Sequence, residues 1–190
     1  MDCLERRRAD RHAGQGLQHH PRDRHRIERG NIDWLGVGQG TAPIGLSQTV
    51  SVSLAALGLS GPAYAYDYIA GIGTTVPQGG SVSATVSAGT YWIIAPVGPS
   101  GIAFLGDAGK FVSHGDKRIA HLDDDGQIHT TVAFAAGEGP VTLHGHAARQ
   151  PTVTATTRSV GTVGYTAATG IFTVSVTAAA SNEAVSAIAP

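Results

Sequence analysis

The stretch that decides the fold is residues 91–113, YWIIAPVGPSGIAFLGDAGKFVS. Tyr91, Trp92, Ile93 and Ile94 form its bulkiest apolar run, in a chain otherwise built from Ala, Val, Thr, Ser and Gly. A run of this length bounded by turn residues reads as a strand buried on both faces. Pro96 lacks a backbone donor, so the strand ends or reaches an edge there. Gly98, Pro99, Ser100 and Gly101 spell a turn, and Ile102 to Leu105 resume as a second short buried strand. Two core strands joined by a tight connection are expected to pin the centre of an all-β domain. None of these side chains is reactive.

Composition agrees with strands. Gly accounts for 26 of 190 residues, about twice the usual ~7%. Charged residues make up 14%, well below the ~25% typical of globular chains. This mixture favours short strands with tight turns over helices. A net charge of −1 gives no reason to expect nucleic acid or an anionic membrane as partner. Cys3 is the one cysteine, so no disulfide forms within the chain and cysteine usage does not fix a compartment. No apolar run approaches the ~20 residues of a membrane span. The charged N-terminus has no apolar segment behind it, so it does not read as a signal peptide.

On the N-terminal side of the strands, residues 1–30 hold eight of the eleven arginines and four histidines. They could form a basic arm for an anionic partner. The favoured expectation is a disordered or non-native leader, because so little apolar surface cannot offset ordering entropy. Residues 31–46 read as a Gly-rich linker or incomplete edge strand. Gly36, Gly38 and Gly40 give GxGxG rather than the GxGxxG of a dinucleotide-binding turn.

Alternation begins at Thr49, with Val50, Val52 and Leu54 on one face. LAALGLSGP could make a helical turn, cut short by Gly58, Gly61 and Pro62. In AYAYDYIAG, Tyr64, Tyr66 and Tyr68 share one face; a sugar-stacking platform is possible, and packing across a sheet is favoured. Val82, Ala84 and Val86 alternate in turn. Beyond Ser113, KRIAHL and IHTTVAFAA flank an Asp-Gly hairpin turn at Asp123–Gly126, followed by VTLHGHA, VTATT, VGYT, IFTVSV and AVSAIA. The expected fold is an all-β, antiparallel, Greek-key-like β-sandwich of about eleven or twelve short strands over residues 47–190, divisible into halves of about 47–113 and 114–190.

With these strands set out, VSVSLAALGLSGPAYAYDYIAGIGTTVPQGG and SVSATVSAGTYWIIAPV resemble the C-terminal β-sandwich of family 36 glycoside hydrolases. GIAFLGDAGKFVSHGDKRIAHLDDDG, PVTLHGHAARQPTVTA and VGYTAATGIFTVSV resemble the raffinose synthase and alkaline α-galactosidase branch. The likeness spans residues 47–190 and consists of turns and apolar positions, with no catalytic motif. It implies an accessory domain that rests on a (β/α)8 barrel, where one Asp is nucleophile and another acid/base toward α-galactosides. That barrel needs about 250 residues, and the 46 residues before the sandwich contain no match to its motifs. The expectation is a non-catalytic C-terminal accessory fragment with the barrel as partner. The alternative is a stand-alone carbohydrate-binding module using Tyr64, Tyr66, Tyr68 or Trp34.

The remaining constellations are weak. Outside the leader the acids are Asp33, Asp67, Asp107, Asp116, Asp123–Asp125, Glu138 and Glu183, mostly at turns rather than paired as glycoside hydrolysis requires. The Asp cluster lacks the EF-hand order for Ca²⁺. His144 and His146 share a strand face and could bind zinc if His129 converged on them. No GxSxG elbow is present. Neither a catalytic residue, a cofactor nor a metal ligand is expected.

Overall fold

The computed structural model describes residues 34–35, 48–86, 90–111, 113–115, 117–155, 160–178 and 183–190. The leader expected at 1–30, and the linker apart from Trp34–Leu35, lie outside them.

The described residues form β1 (Trp34–Leu35), β2 (Gln48–Ser53), β3 (Ala63–Asp67), β4 (Ile72–Val76), β5 (Ser81–Val86), β6 (Trp92–Pro96) and β7 (Ala103–Asp107). They continue with β8 (Ile119–Asp124), β9 (Ile128–Ala133), β10 (Val141–His146), β11 (Thr152–Ala155), β12 (Gly164–Thr166), β13 (Ile171–Val176) and β14 (Glu183–Ala189). The LAALGLSGP segment supplies a single 3-10 turn, Ala55–Leu57, which ends at Gly58 with φ +77°.

All strand pairs are antiparallel. Sheet I is β2-β5, sheet II is β1-β6-β3-β4, sheet III is β12-β13-β10-β7 and sheet IV is β11-β14-β9-β8. In the second half β9 lies beside β14 and β10 beside β13, a Greek-key-like crossing of strands distant in sequence.

Three apolar clusters show how the sheets stack. Val52, Val82 and Ala84 of sheet I pack on Ala63, Ala65, Val76, Trp92 and Ile94 of sheet II. The other face of sheet II, through Tyr64, Tyr91, Ile93 and Ala95, meets Ala103, Leu105 and Ile171 of sheet III. Sheet III in turn sends Phe104, Leu143, Phe172, Val174 and Val176 against Ile119, Ile128, Val132 and Ile188 of sheet IV. The order is therefore four layers, I–II–III–IV, or two sandwiches packed back to back.

This order explains the run that opens the sequence reading. Sheets II and III are central, so both faces of β6 and β7 are covered. Trp92 and Ile94 point to sheet I while Tyr91 and Ile93 point to sheet III. Each such side chain, fully buried, contributes about 1.5–3 kcal/mol. β6 and β7 are not neighbours in one sheet, however. The 97–102 connection carries the chain from sheet II into sheet III, and β7 pairs with β10. β7 thus precedes the expected midpoint at 113 yet belongs to the second sandwich. Alternation reveals which face a side chain takes; it does not reveal the strand's partner.

Candidate functional site

Polar side chains gather between the two central sheets. β3 directs Tyr64 and Tyr66 toward sheet III, and β10 directs His144 and His146 toward sheet II. The Tyr64 ring stacks on His146 at 4.0 Å between centroids, and Tyr66 meets His144 edge-on at 5.6 Å. Tyr64 is 2% exposed. Gly73 on β4 makes this fit possible, because a Cβ there would lie 2.5 Å from the Tyr64 ring. Further along, Tyr91 stacks on Phe111 at 4.1 Å, Tyr68 stands edge-on to both, and the Tyr91 hydroxyl donates to the Phe111 carbonyl at 2.8 Å. Burial, then the neighbouring tyrosine, raises the pKa of Tyr64 and Tyr91.

Burial disfavours the charged form of the imidazoles here. Nδ1 of His144 donates to the Gly106 carbonyl at 3.0 Å, which fixes its tautomer, since a carbonyl can only accept. Burial lowers the His144 pKa, against an opposing contribution from that hydrogen bond and from Asp107. Burial also lowers that of His146. His114 packs edge-on against Phe104 at 5.3 Å, and desolvation, then the proximity of His144, brings its pKa down to about 3. Ser113 Oγ lies 3.5 Å from His114 Nδ1. Ser113 is itself buried, at 1% exposure, and so is not presented to a substrate at the surface.

A second polar cluster closes the end of β7. Arg118 sets Nε 2.9 Å from Asp107 Oδ2 and grips both oxygens of Glu138 with its other two nitrogens. It also donates to the Ala133 carbonyl and lies over the Phe134 ring. The Arg118 and Asp107 side chains are 11% and 4% exposed. Hydrogen bonding from Arg118, then from the Ala135 amide, holds the Glu138 carboxyl down to about 2. Asp107 and Glu138 are thus two carboxylates brought together, but with a guanidinium bound between them. That arrangement locks a loop; it does not leave one carboxyl to donate a proton and another to attack.

The other acids hold turns. Asp67 accepts from the Ile69 and Ala70 amides with one oxygen and from Thr90 Oγ1 with the other, closing the β3–β4 hairpin. Asp124, from the expected hairpin turn, accepts from the Ser100 amide and hydroxyl and from the Gly126 amide. It joins the II-to-III connection to the β8–β9 hairpin. Asp125 pairs with His129 at 3.2 Å. His129 is on the outer face of sheet IV, away from the layer holding His144 and His146, so the three imidazoles do not converge. Among the described residues no group of three His, Cys, Asp or Glu is placed to hold a metal. Asp33 and Asp116 fall outside the described residues, as do the glycines at 36, 38 and 40.

His114 and Arg118 carried no signal in the sequence. Each acts through a residue many positions away, and their local context, a turn and the start of a strand, is that of ordinary surface residues. No family model and no curated protein matches this chain.

Proposed function

We propose that the chain is a non-catalytic β-sandwich module, serving as the C-terminal accessory domain of an α-galactosidase or raffinose-synthase-like glycoside hydrolase. The accessory role is supported by one observation above others: Asp67, Asp107, Asp124 and Glu138 are held by hydrogen bonds or ion pairs, and the tyrosines pack on the histidines. Tyr64 and Tyr66 face the histidines, the two associated carboxylates share Arg118, and Asp67 and Asp124 bind backbone amides. The glycosidase setting rests on the sequence resemblance over residues 47–190. The activity would belong to a barrel in the same enzyme, and the module would stabilise it by packing.

The test supplies an α-galactosidase barrel in trans. The purified chain alone should give no turnover of aryl α-galactosides or raffinose above a buffer blank. Added to a barrel stripped of its own sandwich, it should raise the barrel's melting temperature and its activity. Turnover by the chain itself that disappears on mutating a single Asp, or indifference of the barrel to the chain, would refute the proposal.

A carbohydrate-binding role is the second reading, favoured by Phe111. Its ring is 57% exposed while backed by Tyr91 and flanked by Tyr68. A sugar would stack there rather than on Tyr64. Retardation in gels containing galactan or galactomannan, abolished by Phe111→Ala, would favour it.

A further inference from the structure

Between Trp34 and Gly106 the sequence contains one charged residue, Asp67. Exposed sheet edges are normally blunted by charge, proline, bulges or brevity, and the edges of the second sandwich carry such features. β8 bears Asp123 and Asp124 and has an irregular register between Ile119 and His121. β11 is entered through Arg149 and Pro151, and β12 is three residues long. β4 has no charge, no internal proline and no register shift, and Pro77 comes only after its last residue. Among the described residues it pairs with β3 alone, and Ile72, Gly73, Thr74 and Thr75 are all exposed. Ile72 is 62% exposed and Ile69, at the hairpin tip, 68%.

We propose that β4 is the edge on which a second copy of this chain adds, in an antiparallel two-fold pairing centred on Thr74. The two copies of sheet II then become one continuous sheet. In this register Ile72 stands opposite Val76 of the second copy, and Gly73 opposite Thr75. The exposed isoleucine gains an apolar neighbour twice over, as a self-complementary interface requires. Thr74 faces itself whether the central pair is hydrogen-bonded or not, so either ladder phase is served.

The occupant follows from charge and shape. A strand with no ionisable group attracts no charged partner and does not repel its own copy. The one nearby charge, Asp67, is a strand inward with both carboxylate oxygens engaged. The other edge of sheet II, β1, is two residues long among the described residues. β2 and β5 are also free of charge, but off the core they present only Ser and Thr, partly paired with each other through Ser51–Ser83 and Thr49–Thr85. They offer a copy no apolar side chain to cover.

Sedimentation velocity on the full chain over a wide concentration range tests this. The parent should pass from monomer to dimer. Thr74→Lys and Thr74→Asp, at an exposed position, should each weaken dimerisation at least tenfold without changing the far-ultraviolet spectrum. An equimolar mixture of the two variants should dimerise again, because opposite charges then meet across the axis; a folding defect would not be rescued by mixing. Thr74→Cys in a Cys3→Ser background should cross-link the copies under mild oxidation. A parent that is monomeric throughout, or a dimer indifferent to both charges, overturns the proposal. So does an open series of oligomers that persists in the variants, which would place association on β2 or β5.

Discussion

Sheets I and II and sheets III and IV face the same packing task with different chemistry. Both sandwiches are antiparallel and close over an apolar interior, Leu54, Trp92 and Ile94 in one and Phe104, Phe172 and Ile188 in the other. Away from the core they diverge. The first sandwich uses hydroxyls: Ser51 and Ser83 bond at 2.7 Å and Thr49 and Thr85 at 3.2 Å across sheet I. The second uses the Arg118 bridge and contributes every histidine outside the leader. Neutral hydroxyl pairs and buried ions can therefore hold similar layers. What differs is how the two respond to pH and to the loss of one member.

The comparison predicts equality first. Trp92→Ala and Phe172→Ala should each cost about 3–5 kcal/mol, since both leave a large cavity between two sheets. A mutant of either kind that melts within a degree or two of the parent would mean that its sandwich is not held by its core.

Charge should then separate the halves. Arg118→Ala removes the cation paired with buried Asp107 and should cost about 3 kcal/mol or more in chemical denaturation. If Arg118→Ala together with Asp107→Ala is no more stable than Arg118→Ala alone, the stranded carboxylate is not the cause.

Acid should act on the same side. His114 titrates at about 3 when folded and near its ordinary 6.5 when unfolded, and His144 and His146 are lowered too. The unfolded chain therefore holds more protons below pH 6.5. Through His114, stability is lost as the pH falls from 6.5 toward 3, by up to about 1.4 kcal/mol per pH unit, and His144 and His146 act in the same direction. Glu138 acts in the same direction lower down: its stabilisation is present above 4.5 and is lost toward about 2. His114→Leu should flatten the profile between pH 6.5 and 4.5. An unaltered slope in that variant would exclude His114 as the group responsible.

The smallest effect is expected on sheet I. Ser83→Ala removes one exposed hydroxyl pair and should change stability by about 0.2–1 kcal/mol, independently of pH. A larger loss would show the hydroxyl rows to be structural in their own right.

These contrasts were unequally legible in the sequence. Period-two alternation placed Val50, Val52, Val82 and Ala84 on one face, and the Asp-Gly turn marked the β8–β9 hairpin, because both signals are local. The double burial of Tyr91 to Ile94 and of Ile102 to Leu105 was legible for the same reason. Which sheet each run joins was not, since β7 finds its partner β10 more than thirty residues later. The tyrosine face could be read as shared by Tyr64, Tyr66 and Tyr68, but its cover comes from His144 and His146, from the far half of the chain. The Arg118 bridge was hidden in the same way: its acids are eleven residues before it and twenty after it.

The position of sheet II between two others has a consequence for synthesis. Its sheet I face can close as soon as β6 leaves the ribosome, because every strand involved precedes Pro96. Its other face must wait for sheet III, which is complete only when β13 ends at Val176. Elongation at 5–20 residues per second leaves roughly 4–16 s between those two events. Throughout that interval the nascent chain carries Tyr64, Tyr91 and Ile93 on an uncovered, uncharged sheet. Chains arrested with about 100–170 residues emerged should be held by ribosome-associated chaperones, and release should coincide with the emergence of β13.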